Sequence, residues 1–572
     1  MLEKQWKIES LEHPIPEEVD HALIEYPPVM RQLLYNRGIQ DGDAAKFYLH
    51  PTEANYHDPF LLKDMQKAVE RILVAVDNGE KNAIYGDYDV DGITATALLV
   101  QALQKLGARV EHYIPDRHTE GYGINSEALQ KLALEGYRLV ISVDCGIRSE
   151  VEAEFAIQIG LDLIITDHHE PGSKIPGCFA VICPKQPGDS YPFKYLAGVG
   201  IAFKLVQALY QERPQPEVSI GLWLDLVALG TVADLAPLED ENRAMVRHGL
   251  NVLTRRQRQG LHSLLGSAGV DAGQRVNTYH IGFVLGPRLN AAGRLQTAED
   301  AYQILMTNDV QVAGMLAQQL GDQNRERQDV TQKIQQEALE MVTDQVNLVF
   351  VASPQFRLGV VGLAAGRLVE AFYRPAIVGA IDEEKGKTRA SCRSIQEFNI
   401  TEALDEVKDL LEHHGGHAMA AGFTVRNENL PALQERLQQI AAEQLAGREL
   451  LPSLRADMEL SLFEVKPEII GFQDQIEPCG IGNPAVRFVS RNLIVKKARK
   501  IGKDGGHLRL TVTDGKVTYD AVAFRQAHWA DAMPERIDIL FSLEINHYQG
   551  RQTLQLNILD IKPSETNPQS DT

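Results

Sequence analysis

The chain has 572 residues, of which 44% are hydrophobic and 24% charged, so it is too long for one ordinary core and too apolar to be disordered or fibrous. Its net charge of -21 argues against nucleic acid over most of the surface. Yet Arg487, Arg491, Lys496, Lys497, Arg499, Lys500 and Lys503 share one acid-free stretch, which segregates the charge and invites a search for a polyanion track there and for clustered carboxylates elsewhere.

The start, MLEKQWKIES, has no apolar core, and no later apolar run reaches the ~18–20 residues of a membrane span, so a cytoplasmic protein without membrane contact is expected. Residues 1–60 are interrupted by prolines (HPIPEE, YPPVM) and predict an N-terminal extension of short helices and loops. From residue 61 a helical pattern leads into an alternation. NAIYG, ARVEHYIP, RLVISVDCG and DLIITDHH read as strands, and ITATALLVQALQKLG, SEALQKLALEG and EVEAEFAIQIG as helices between them. This βαβ rhythm predicts an α/β fold with a parallel sheet covered on both faces, whose chemistry belongs at the carboxyl ends of its strands. Residues from 196 onward read as mostly helical and complete a domain over 61–309. The polar stretch 310–342 predicts a long helix bridging two lobes.

A second α/β unit is expected over 343–450, with NLVFVA and RPAIVGAI as strands around the helix GLAAGRLVEAFY. From 456 to 562 the period changes to two in LRLTVTD, TYDAVAF, DILFSLEI and TLQLNILDI, which predicts a small antiparallel barrel or sandwich. The tail 563–572 is polar and expected to be disordered. Five cysteines without a CxxC pair fit a reducing compartment and exclude a cysteine zinc knuckle.

Chemistry concentrates where strands end. Asp87, Asp89 and Asp91 in GDYDVDG follow the first strand, Asp144 in VDCG the third, and Asp167, His168 and His169 in ITDHHE the fourth. Gathered carboxylates repel one another, and a divalent cation offsets that charge. Any one of these residues alone would serve as a cap or turn former; three strand ends of metal-ligand type point to a metal. A calcium loop of EF-hand type matches from Asp87 to Gly92 but fails at its twelfth position, Leu98.

GDYDVDG, VDCG and DHH, followed by GTVADLAPL, GPRLNAAGR and GGHAMAAG, resemble the ordered motifs of the DHH phosphoesterase superfamily, and the length and full set resemble its bacterial single-strand-specific exonucleases. The resemblance implies a DHH domain, a DHHA1 domain and a C-terminal OB-like domain. It implies that Asp91, Asp144, His168 and Asp234 hold one metal and that Asp89 and Asp144 hold a second, with Asp144 bridging and Asp87 ligating or orienting. Mn²⁺ or Mg²⁺ suits such ligands. His169 would contact a phosphate oxygen or tune the site. Where the smaller branch of the superfamily has a histidine four residues before the middle aspartate, this chain has Tyr85, which puts the composition of the second site in question. Asp234 follows the apolar stretch LWLDLVALG, where an unpaired carboxylate is costly and a ligand role or a helix N-cap would relieve it.

Arg288, Asn290 and Arg294, on a turn entering a helix, suit phosphate, as does a nest of Gly415, Gly416 and His417 whose small residues begin a helix. Ser391 with Arg393, and Arg117 beyond a strand of the first sheet, are further candidates for a terminal 5′ phosphate. His413, His414 and His417 lack a partner at zinc spacing. In the OB-like domain the basic strip would track a backbone, with Phe524 and Tyr548 as stacking candidates. The whole implies a metal-dependent 5′→3′ exonuclease on single-stranded DNA in repair and recombination. A single-strand-binding protein and a repair helicase are the implied partners, and a monomer is expected. The competing readings are a small-molecule phosphoesterase and a silent replication scaffold of the same fold. In the scaffold the ligand carboxylates would be eroded, and here they all stand.

Overall fold

The computed structural model describes residues 3–117, 119–295, 297–342, 347–548 and 551–564. It divides into two compact units: one of residues 1–4, 58–234 and 248–452, the other of 5–57, 235–247 and 453–572.

The first unit holds two sheets. One is parallel throughout, in the order Arg109–Tyr113, Lys81–Tyr85, Tyr137–Val143, Asp162–Thr166, Ala180–Ile182. Its strands are short apolar runs because helices cover both faces: Ala83, Ile84, Val140, Ile141, Leu163 and Ile164 are all buried. The helix Val90–Lys105 follows the first of these strands by chain order and is buried nearly all round, Leu98 included, so the position that would ligate calcium is core.

The second sheet runs in the order Leu411–His417, Ala420–Arg426, Lys387–Arg393, Ala376–Asp382, Val349–Ser353, parallel only in its last pair. Here the segment HHGGHAMAAG differs from expectation. It is an antiparallel hairpin, with Gly415 opposite Gly422, Gly416 opposite Ala421 and His417 opposite Ala420. The small residues serve close strand pairing instead of opening a helix. Gly416 has φ 147°, and a Cβ there would lie 2.4 Å from the carbonyl oxygen of Ala420. The helix Val310–Met341, capped by the Asp309 carboxylate on the amides of Gln311 and Val312, is the long polar element expected between the lobes and packs against helices of both.

GPRLNAAGR also differs from expectation. It lies inside the helix Gly286–Leu295 and is entered through the π-helical turn His280–Leu285, not through a surface turn. Pro287 has no N–H to donate and its ring crowds the carbonyl four residues back, so the preceding turn widens instead of tightening.

The second unit is a closed barrel in which Phe488–Ile501, His507–Thr513, Thr518–Ala523, Arg551–Pro563 and Arg536–Tyr548 pair in that order and the last returns to the first, the strand order of an OB-fold. Residues 5–49 belong to this unit: Leu23, Met30, Leu33, Leu34 and Leu49 share one core with Leu462, Phe488, Leu508 and Phe541, and Gln5–Ile8 pairs in parallel with Ser453–Ala456. A buried ion pair joins Arg37 to Asp457 at 2.9 Å, with side chains 3% and 6% exposed. Arg243 stacks on the Tyr48 ring at 3.9 Å and donates to the carbonyls of Gln475, Ile476, Glu477 and Pro478. These contacts join segments hundreds of residues apart, which no local pattern announces. The expected tail lies outside the described residues from 565 onward.

Candidate active site

Asp144 leaves its strand in the left-handed region, φ 60°, its N–H donating to the carbonyl of Thr166 at 3.0 Å. A non-glycine residue held there stores strain of ~1–3 kcal/mol, a feature that clusters at functional sites. Asp89 caps the helix Val90–Lys105 by accepting from the amides of Asp91 and Gly92 at 2.9 and 3.1 Å. Asp91 is buried and accepts from the amides of Gly198 (2.6 Å) and Val199 (2.8 Å) at the start of the helix Gly198–Glu212, whose dipole favours its charge. Gly198 is there for closeness: a Cβ on it would lie 2.7 Å from the Cβ of Asp144. Asp234 stands at the C-terminal end of the helix Leu224–Ala233, so the alternative of an N-cap falls away.

The fourth strand end divides the labour. Asp167 accepts from the amides of Ile147 (2.9 Å), His168 (2.7 Å) and His169 (3.1 Å) and contacts His169 Nδ1 at 2.7 Å, so it shapes the turn and orients His169. Burial works to raise the Asp167 carboxyl, but the His169 hydrogen bond prevails and holds it below its usual range. Burial works to lower His169, and Asp167 outweighs it, leaving the imidazole raised.

His168 Nε2 stands 3.1 Å from Asp144 Oδ1 and 4.0 Å from Asp91 Oδ2, and its Nδ1 3.8 Å from Asp234 Oδ2. The 3.1 Å approach lacks hydrogen-bond alignment: Nε2 of His168 and Oδ1 of Asp144 and of Asp87 are buried without a hydrogen-bond partner among the described residues. Ligand atoms of Asp91, His168 and Asp234, of Asp87, Asp89 and Asp144, and of Asp144, His168 and His169 each gather within 4.8 Å. Burial pushes Asp87 up to about 8 with help from Asp89, Asp91 up to about 7 with help from Asp234, and Asp234 up to about 7 with help from Asp89. Asp144 is driven well above its usual range by burial and then by Asp91, Asp89 and Asp87. Burial pushes His168 down, toward the neutral form that ligates. Orphaned lone pairs, mutual repulsion and a mixed oxygen and imidazole donor set fit divalent ions of the Mn²⁺ or Mg²⁺ kind.

Tyr85 is fully buried, donating to the carbonyl of Gly123 at 3.0 Å and accepting from Asn125 at 3.1 Å. The group around Asp87 is therefore all carboxylate.

Arg294 lies at the centre of a cationic cluster. Burial lowers it to about 10, and Arg117, Arg327 and Arg393 add to that against the pull of Asp89. The Nε atoms of Arg288, Arg294 and Arg327 are buried without partners among the described residues. Cations so arranged call for an anion. A cavity of about 320 Å³ brings Arg117 and Ser391 together with Arg389, His413 and His414. Gly415, Gly416 and His417 are exposed on the hairpin beside it. Asn290 turns its Oδ1 to the amide of Val90 at 3.2 Å and so holds the aspartate loop. Arg327, Arg389, Tyr88 and Tyr122 were not singled out from sequence. Arg117 lies 4.9 Å over the Tyr88 ring, and the Tyr122 hydroxyl donates to the carbonyl of Asp144 at 3.3 Å. Tyr122 shares the loop PDRHTEGYG with Arg117 and was within reach; Arg327, one polar residue among many on a long helix, carried no signal.

On the barrel, Lys496, Lys497, Arg499 and Lys503 are exposed and Arg487 is half-buried, while Arg491 pairs with Glu459 and Asp538, and Lys500 with Asp531. Lys497 and Arg499 sit opposite Thr511 and Arg509. Phe524 is 55% exposed and meets the His507 ring edge-on at 5.3 Å. The Tyr548 side chain lies outside the described residues.

Three family models match the chain: "DHH family, N-terminal domain" over residues 81–231, "DHHA1 domain" over 344–443 and "RecJ OB domain" over 456–560. The single-stranded-DNA-specific exonuclease RecJ of Bacillus subtilis (strain 168) is 42% identical over 543 residues, 94% of this chain and 68% of that protein. That of Escherichia coli (strain K12) is 32% identical over 565 residues, covering 94% and 96%. The structure of RecJ in complex with Mn²⁺ from Thermus thermophilus superposes with a TM-score of 0.82 at 30% identity over 96% of this chain and 78% of that one.

Proposed function

The chain belongs to the RecJ family of single-stranded-DNA-specific exonucleases, and from that premise we propose that it hydrolyses single-stranded DNA from the 5′ end, releasing 5′-mononucleotides. The observation that carries this is the adjacency of two unlike clusters. Carboxylates and an imidazole stand beside arginines whose Nε atoms are buried, both sets carrying buried atoms without partners among the described residues, and Arg294 and Asp89 lie within each other's field.

Asp91, Asp144, His168 and Asp234 would hold one cation and Asp87, Asp89 and Asp144 the other. Bound there, Mn²⁺ or Mg²⁺ supplies a water of lowered pKa and neutralises charge on both oxygens of an in-line displacement at phosphorus. The Gly198 and Val199 amides aim Asp91, Asn290 fixes the loop through Val90, and Asp167 orients His169, whose raised imidazole suits contact with a phosphate oxygen or the leaving group. Arg117, Arg294 and Arg393, with Ser391 and Arg389, would seat a terminal 5′ phosphate, and Arg288, nearer the start of its helix, another phosphate of the strand. An end-group site next to the cations favours removal of single nucleotides. On the barrel, Lys497 and Arg499 with Phe524 would follow the strand, consistent with an OB-fold's use of cations and exposed rings. A single-strand-binding protein, a repair helicase, a monomeric state and a cytoplasmic location complete the proposal on resemblance alone.

Digestion of end-labelled single- and double-stranded oligonucleotides with Mn²⁺, Mg²⁺ or chelator tests it. Wild type should degrade single strands from the 5′ end only with metal, and Asp144→Ala should be folded and inert; full activity in that variant would remove Asp144 from the site.

A further inference from the structure

The rings of Tyr279 and Phe283 stack at 5.0 Å with 25° between their planes, yet they are 61% and 71% exposed. Two adjoining aromatic rings left in water give up burial that a core would use. Their place in the chain indicates what covers them. They flank and occupy the π-helical turn His280–Leu285, an irregularity that recurs at functional sites, and this turn feeds the helix Gly286–Leu295.

That helix lies alongside the carboxylate cluster. A Cβ on Gly286 would sit 3.7 Å from the Cβ of Ala233, the residue before Asp234. Asn290 meets Val90, a Cβ on Gly293 would lie 2.8 Å from the carbonyl oxygen of Tyr88, and Arg294 stands among the arginines. The helix therefore spans the site from Asp234 to the cationic cluster, ~12 Å at 1.5 Å per residue, and the aromatic pair lies just beyond its Asp234 end. Arg288, bonded to the carbonyl of Val284 next to Phe283, stands at this end of the helix with Arg325 nearby.

We propose that Tyr279 and Phe283 form the stacking surface for bases on the 3′ side of the scissile linkage, while the 5′ phosphate sits among the arginines. This rests on the 5′-end reading above. The surface accepts any base, because each has a π-face, and it refuses a duplex, whose base faces are already covered by their neighbours.

The test uses 5′-phosphorylated oligonucleotides carrying one abasic site at successive positions from the 5′ end, with Mn²⁺. In wild type an abasic gap opposite the pair raises KM ~5–10-fold, the loss of one stacked base, and a gap many nucleotides away does not. Phe283→Ala raises KM on intact strands by a similar factor and flattens the abasic profile, and Phe283→Trp restores both; circular dichroism and Mn²⁺ uptake verify that each variant is folded with its metal centre. Wild type that degrades single strands with a flat profile overturns the stack alone, as does Phe283→Ala with wild-type KM. Wild type inert on single strands overturns the exonuclease reading beneath it. Self-association in sedimentation that is lost in Phe283→Ala would give the rings to a second copy and also overturn the proposal.

Discussion

Gly198→Ala puts one methyl group against the Asp144 carboxylate, which gathers with Asp87 and Asp89 on one side and with His168 and His169 on the other. The new Cβ would lie 2.7 Å from Asp144 Cβ, 2.8 Å from Oδ1 and 2.9 Å from Cγ, where ordinary carbon contacts are ~3.5–4.0 Å, so something must move by close to 1 Å. Asp144 has little room to yield: its N–H is bonded to Thr166, its carbonyl accepts from Tyr122, and its backbone already sits at φ 60°. Overpacking of this kind costs ~1–3 kcal/mol of stability, and a ligand displaced by about 1 Å costs ~10²-fold in rate. Alanine is the better helix former, so propensity works against the loss and cannot explain it. Calorimetric titration with Mn²⁺, thermal melting and single-turnover hydrolysis of a 5′-labelled strand read the three quantities. A variant with unchanged Mn²⁺ affinity and rate would refute the idea that Gly198 sets the position of Asp144.

Stability should depend on pH in a way that metal cancels. Asp87, Asp91 and Asp234 have folded pKa values of about 8, 7 and 7 against an ordinary 3.8. The stability they contribute is present below the ordinary value and lost as pH rises through 7 to 8. The metal-free protein should melt lower at pH 8.5 than at pH 5.5, and saturating Mn²⁺ should abolish that slope with release of protons; equal slopes in chelator and in Mn²⁺ would contradict this. Arg294→Met should raise KM for 5′-phosphorylated ends ~10–100-fold, the worth of charge-assisted hydrogen bonds, with a smaller effect on 5′-hydroxyl ends, as competition between the two ends would show. Arg37→Met leaves the Asp457 charge buried and should cost ~3–5 kcal/mol in calorimetric unfolding; a loss below 1 kcal/mol would mean that water reaches the pair.

The candidate site was legible because gathered carboxylates and imidazoles are particular residue types and the parallel sheet puts them at strand ends, so the cluster of Asp87, Asp144 and His168 could be read from short apolar runs that stop at acids or imidazoles. Asp167 was legible as a residue but not in its role, since only the fold shows its oxygens spent on the amides of its own turn. The hairpin at Gly415 was hidden because glycine and alanine suit a tight sheet as well as a helix start. Residues 5–49 looked like an appendage because their apolar positions find partners far along the chain. The exposed pair Tyr279 and Phe283 has the spacing of any buried helical pair, and only the structure shows it uncovered.

The division of the chain has a temporal side. The barrel unit takes its first segment from residues 5–57 and its last from 453 onward, so ribosomes adding ~5–20 residues per second leave the early segment waiting about 20–80 s for its partners. Through that interval Leu23, Met30 and Leu33 have no core to enter, whereas the parallel sheet can close as soon as its own strands emerge. Newly made protein should therefore acquire its metal-binding pocket first, and chaperones should be needed mainly at the leading end.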